Sequence, residues 1–130
     1  MPESPEDFLK CKRWAVVGVS ADERKYGYKA FAALLNAGYE VYGVKPKNGI
    51  VLGQRIYRSL ADLPLRPEVV NTVVPPKVTE SVVRQCAELG IGRVWMQPGS
   101  ESDHAIAFCR EHGIEVVHNQ CAILRAKDSA

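Results

Sequence analysis

Arg13-Trp14-Ala15-Val16-Val17-Gly18-Val19 opens the stretch whose reading decides the fold. A polar loop follows, Ser20-Ala21-Asp22-Glu23-Arg24-Lys25-Tyr26-Gly27, and then a helix-patterned segment, Lys29-Ala30-Phe31-Ala32-Ala33-Leu34-Leu35-Asn36-Ala37. The order is strand, loop, helix. A parallel strand buried on both faces reads as a continuous apolar run, as this one does. Gly18, at its carboxyl end, carries no Cβ that would hold the backbone away from a ligand. The loop then delivers the chain to a helix N-terminus, whose free N–H groups and dipole favour a phosphate. Such a unit suits a nucleotide-type cofactor. The next glycine after Gly18 is Gly27, so there is no Gly-x-Gly-x-x-Gly, and no Gly-Lys-Ser/Thr closes the loop. The stretch is therefore a phosphate-binding turn of unusual spacing, with a glycine that serves only a tight turn as the alternative.

Outward from this unit the pattern repeats. Tyr39-Glu40-Val41-Tyr42-Gly43-Val44 forms a second strand, Val69-Val70-Asn71-Thr72-Val73-Val74 a third, Arg93-Val94-Trp95-Met96 a fourth and Gly113-Ile114-Glu115-Val116-Val117-His118 a fifth. Helices are expected over about 77–89, with Val78, Val82, Cys86 and Leu89 on one face, and from the capping-box pattern Ser100-Glu101-Ser102-Asp103 to His112. Residues 1–12 should pack a turn of helix through Phe8 and Leu9. Trp95 and Met96 are expected in the core, and the tail, 119–130, has room for one helical turn. Residues 50–57 have neither the length nor the period of a helix and read as an irregular crossover. Gly38, Gly90 and Gly113 each stand between the end of a helix and the start of a strand, as C′ glycines do. Strands alternating with helices predict an α/β protein: a Rossmann-like open five-stranded parallel sheet with helices on both faces.

At 130 residues the chain is expected to form one domain, 1–130. Its formal charge of +2 and pI near 8.4 are too mild to point to nucleic acid or an anionic membrane. No apolar run approaches the roughly 18 residues of a membrane span, and residues 1–10 lack the pattern of a signal peptide. We expect a cytoplasmic protein. The four cysteines, Cys11, Cys86, Cys109 and Cys121, are widely spaced with no Cys-x-x-Cys. Free, mostly buried thiols are the expectation.

An open parallel sheet binds its ligand at the carboxyl ends of its strands, beside the point where strand order reverses. The segments following the five strands are Gly18-Val19-Ser20, Lys45-Pro46-Lys47, Pro75-Pro76-Lys77, Gln97-Pro98-Gly99 and His118-Asn119-Gln120-Cys121. The second carries most information. An NAD site places Asp or Glu there to accept the ribose hydroxyls, whereas Lys45 and Lys47 suit a phosphate on the ribose. A pyrophosphate together with a ribose phosphate means NADP or coenzyme A.

Taken together, Val17-Gly18-Val19-Ser20, Lys25-Tyr26-Gly27, Gly38-Tyr39-x-Val41, Val44-x-Pro46, Gly53, Tyr57-x-Ser59-Leu60, Val74-Pro75-Pro76, Trp95-x-Gln97-x-Gly99 and Cys121 resemble the small stand-alone CoA-binding proteins. These are similar to the N-terminal CoA-binding domain of the succinyl-CoA synthetase α subunit. The resemblance covers about 12–124. It implies that Gly18, Val19 and Ser20 line the pyrophosphate of coenzyme A, with Lys25 and Tyr26 close by. Lys45, Pro46 and Lys47 would meet the phosphorylated ribose. Val74, Pro75 and Pro76 would meet the adenine, and Gln97, Pro98 and Gly99 the outward arm. The sulfur of CoA would finish near Cys121.

A ligase of the synthetase type also needs a second domain with a phosphorylated histidine, for which these 130 residues leave no room. His104 and His112, at helix ends, read as surface residues and are not expected to hold a metal. His118 with Cys121 has no orienting acid that the sequence identifies. The expectation is a binding module for CoA or acyl-CoA without catalytic machinery of its own. The alternative is an NADP-binding oxidoreductase fragment or redox-sensing regulator. No feature specifies a protein partner.

Overall fold

In β1 (Arg13–Val17) every side chain after Arg13 is buried, which is what a strand with neighbours on both edges and helices on both faces requires. The computed structural model describes residues 5–47 and 49–122. Around β1 the elements run α1 (Pro5–Leu9), α2 (Tyr26–Asn36), β2 (Glu40–Val44), β3 (Gly49–Val51), β4 (Gln54–Tyr57), a 3-10 turn (Leu60–Asp62), β5 (Val69–Thr72), α3 (Pro76–Leu89), β6 (Arg93–Met96), α4 (Asp103–Glu111) and β7 (Glu115–Val117). The sheet order is β3-β4-β2-β1-β5-β6-β7. Trp14 lies opposite Val41 on one side and Val69 on the other, both in parallel register. Strand order therefore reverses at β1, and the carboxyl ends of β1, β2, β4 and β5 come together at one edge.

Two apolar layers result from the alternation of side chains along the strands. Trp14, Val16, Phe31, Leu34, Val69 and Trp95 pack on the α2 face. Ala15, Val70, Val83, Cys86, Met96 and Cys109 pack on the face covered by α3 and α4. Trp95 and Met96 are fully buried, as their strand position implied, and Phe8 of α1 meets the Trp95 ring edge-on at 6.1 Å. Burial pushes the thiols of Cys86 and Cys109 up to about 12, so both stay protonated. Cys11 and Cys121 are only half-buried. Gly38, Gly90 and Gly113 take left-handed φ values of 92°, 72° and 70° at the three returns from helix to strand. No helix among the described residues is long and apolar enough to cross a membrane.

The sheet has seven strands, where the sequence pattern indicated five. All five are present, and the additional pair comes from the crossover read as irregular. There β3 and β4 form a hairpin, Val51 opposite Gln54, closed by Leu52 and Gly53 at φ 52° and 74°. Two consecutive left-handed residues are the geometry of a type I′ turn. A Leu at the first of them, between strands of three and four residues, gives neither the usual turn signature nor a measurable period. β4 is parallel to β2 and extends the sheet beyond it.

Smaller corrections concern boundaries. α2 begins at Tyr26, inside the segment read as loop, and β5 stops at Thr72, two residues before its apolar run does. Pro76 does not merely end a strand: it starts α3, where a missing N–H is no loss. Ser102, rather than Ser100, caps α4 by accepting from the Ala105 N–H at 3.2 Å. Ser100 is buried, and its one hydroxyl proton faces the carbonyl oxygens of Thr72 and Gln97 at 3.0 and 2.8 Å. Beyond Ala122 the turn expected in the tail lies outside the described residues.

The entry to β1 is held by Glu68, whose Oε1 accepts from the backbone N–H groups of Lys12 and Arg13 at 3.0 and 3.1 Å. The Arg13 N–H, first, holds its carboxyl below the ordinary 4.5. A depressed folded-state value stabilises above the unfolded value, and that contribution is lost as pH falls through the folded one. Glu68→Ala should therefore lower unfolding free energy by about 1 kcal/mol at pH 7. In urea titrations the gap to wild type should close as the pH drops below 4.5.

Candidate functional site

The exit of β1 and the first turn of α2 touch backbone to backbone. A Cβ on Gly27 would overlap the carbonyl oxygen of Gly18 and stand 3.2 Å from the Ser20 nitrogen. A Cβ on Gly18 would overlap the Val73 carbonyl and lie 2.8 Å from Val74 Cγ1, and Gly18 has a φ of 104°. Both glycines are fixed by close approach, Gly18 also by backbone conformation. The N–H groups of Gly18 and Val19 both donate to the Val44 carbonyl, at 2.9 and 3.3 Å. These two residues thus shape the turn, with their donors already spent on β2.

The free donors lie one step further on. α2 starts with Lys25 at its N-cap position and has no side-chain cap, so the first N–H groups of the helix carry unsatisfied partial positive charge. Lys25, Tyr26 and Gly27 line a cavity of about 680 Å³ together with Ser20, Lys45 and Lys47. Of the loop's two acids, Asp22 and Glu23, the first is neutralised within it. Asp22 takes Arg24 Nε and Nη2 at 3.0 Å each, and this guanidinium holds the carboxyl below its ordinary value.

A second cavity, of about 350 Å³, adjoins the first through Gly18, Lys45 and Pro46, which line both. Its walls are chiefly apolar: Val17 and Val44 from the strands, Leu60 from the 3-10 turn, and Val74, Pro75 and Val82 from the β5 exit and α3. Lys25, Lys45, Lys47 and Arg58 border the two cavities, and among the described residues no Asp or Glu lines either. None of these four cations enters a salt bridge among the described residues.

Of the residues expected at the site, Gly18, Val19, Ser20, Lys25, Tyr26, Lys45, Pro46, Lys47, Val74 and Pro75 line this joined crevice. Pro76, Gln97, Pro98, Gly99 and Cys121 do not. Pro76 is taken into α3. Gln97 turns inward: it is 3% exposed, its Oε1 accepts from the Ala122 N–H at 3.1 Å and its Nε2 donates to Cys121 Sγ at 2.8 Å. Pro98 and Gly99 are exposed, and the Glu101 carboxylate ties the Gly99 N–H to the Asn119 N–H. Arg58, Ser81 and Gln85 line the apolar cavity without having been singled out. The contact of Gly27 with the Gly18 carbonyl is tertiary and has no local sequence signal. Among the described residues no group of three His, Cys, Asp or Glu could hold a metal ion.

Fold and crevice together define an open, mostly parallel α/β sheet with a glycine-shaped turn and an uncapped helix N-terminus at the ends of its central strands. The chain belongs to the CoA binding domain family, whose pattern matches residues 12–127. It is 25% identical over 125 residues to the α subunit of an ADP-forming acetate–CoA ligase II from Pyrococcus furiosus, a match covering 88% of this chain and 27% of that subunit. The chain thus spans about a quarter of that relative. A solved conserved hypothetical protein from Pyrococcus furiosus is 35% identical with a TM-score of 0.83, over 88% of this chain and 98% of its own. A hypothetical protein from Pyrococcus horikoshii is 34% identical with a TM-score of 0.89, over 95% and 87%.

The contact between Gly27 and Gly18 makes a direct prediction. Gly27→Ala should destabilise the protein by about 2 kcal/mol, because backbone cannot yield as a side-chain end can. Gly92→Ala, where a Cβ meets nothing within 4 Å, should stay within about 0.5 kcal/mol of wild type. Urea unfolding of both variants checks the difference.

Proposed function

We propose that the protein binds coenzyme A or an acyl-CoA in the joined crevice at the carboxyl edge of the sheet, acting as a single nucleotide-binding unit of Rossmann-like kind. The observation that carries this reading is the division of the crevice. An apolar cavity meets a polar one at Lys45 and Pro46, with Lys25, Lys45, Lys47 and Arg58 around them and no acid among the described residues of the lining. The adenine lies in the apolar cavity against Val74 and Pro75. The pyrophosphate lies over the first turn of α2, where uncapped N–H groups and Lys25 supply positive charge. Lys45 meets the remaining phosphate, and Lys47, which lines only the polar cavity, joins Lys25 beside the pyrophosphate. Pro98, Gly99 and Cys121, at the exits of β6 and β7, border the outgoing arm, with Gln97 holding the Cys121 segment from beneath. Membership of the CoA binding domain family supports the same ligand.

We read the protein as a binding module rather than a catalyst. Isothermal calorimetry against CoA, dephospho-CoA, NADP and NAD tests the proposal. CoA should bind tightest, and dephospho-CoA about tenfold more weakly, for loss of one charge-assisted phosphate contact. Tight binding of NADP without binding of CoA would establish the oxidoreductase or redox-sensing alternative instead.

A further inference from the structure

Arg58 follows the last residue of β4, a strand that the sequence pattern does not reveal. β4 runs parallel to β2, with Val44 opposite Tyr57, and the Lys45 N–H continues the ladder by donating to the Tyr57 carbonyl at 2.9 Å. Lys45 and Arg58 are therefore level with each other on adjacent strand ends, about 4.8 Å apart in backbone spacing. Both line the apolar cavity. Two like charges directly opposite destabilise a sheet, and neither of these has an ion pair among the described residues. Asp62 shares a neighbouring cavity with Arg58 but forms no salt bridge with it. A pair of cations held side by side without a counter-ion is a site for an anion.

The position of the pair says which anion. Arg58 borders the apolar cavity and is absent from the lining of the polar one. With adenine in the first and pyrophosphate in the second, the ribose sits at the junction of Gly18, Lys45 and Pro46. Its 5′ substituent enters the polar cavity, and its 3′ substituent diverges from that path. Lys45 and Arg58 are the cations on the adenosine side. Lys47 lines only the polar cavity.

We propose that Arg58, paired with Lys45 across the ends of β2 and β4, is a specificity-determining residue that reads the ribose 3′-phosphate. This rests on CoA occupying the crevice as described above. Its planar fork can engage two phosphate oxygens at once, which a lysine cannot.

Calorimetry of wild type, Arg58→Gln, Arg58→Lys and Lys47→Gln against CoA and dephospho-CoA separates the possibilities. Arg58→Gln should lose about tenfold in CoA affinity and stay within about twofold for dephospho-CoA. Arg58→Lys should recover part of the loss, and Lys47→Gln should weaken both ligands alike. Ligand-free Arg58→Gln should melt no lower than wild type, since an exposed cation beside another cation has been removed. Equal losses for both ligands in Arg58→Gln, no loss for either, or a lowered melting temperature would overturn the role of Arg58 while leaving CoA binding by wild type intact. Failure of wild type to bind CoA would overturn both proposals.

Discussion

The crevice depends on one close contact, that between the backbones of Gly18 and Gly27. Because neither residue carries a Cβ, the first turn of α2 settles directly on the exit of β1. The Val44 carbonyl then takes both the Gly18 and Val19 N–H groups, tying the same turn to the exit of β2. On the other side Gly18 leaves room for the Val73 carbonyl, which brings in the exit of β5. Three strand ends and a helix N-terminus are thereby fixed around a few backbone atoms. A glycine fingerprint of the usual dinucleotide spacing is not needed, because the second glycine acts from the helix, nine residues along the chain.

Electrostatics divides the roles around that frame. Asp22 and Arg24 neutralise each other within the loop, Glu23 is exposed and does not line the polar cavity, and the cavity is faced by Lys25, Lys45, Lys47 and the α2 dipole. A strand-end acid of the kind that favours unphosphorylated ribose is replaced by the lysines. Low-acid lining raises the local potential, and the apolar cavity beside it gives a flat base somewhere dry to sit. Charge without the apolar cavity would suit any anion; the two together suit a phosphorylated adenosine.

Much of this was legible in the sequence. A continuous apolar run marked β1, apolar-rich segments marked the other four main strands, and the three glycine returns marked their order. Lys45 and Lys47 declared their chemistry by following β2. The hairpin of β3 and β4 was hidden because its strands are only three and four residues long and its turn uses Leu52 in a left-handed conformation. Arg58 was hidden with it, since a charge matters at the ligand edge only once a strand is known to deliver it there. Gln97 was legible as a polar residue after β6 but not as an inward one. Its orientation is set by the Ala122 N–H, twenty-five residues away. The role of Gly27 belongs to the same class: it is a tertiary contact, with no local pattern to announce it.

The central claim is that a phosphorylated adenosine ligand lies across the junction of Gly18, Lys45 and Pro46. Amide chemical-shift mapping of the labelled protein during titration with CoA tests it most directly. The largest shifts should fall on Gly18, Ser20, Tyr26, Gly27, Lys45 and Ser59. Shifts concentrated instead on the cleft of Tyr39, Tyr42 and Gln54, at the opposite end of β2, would contradict it.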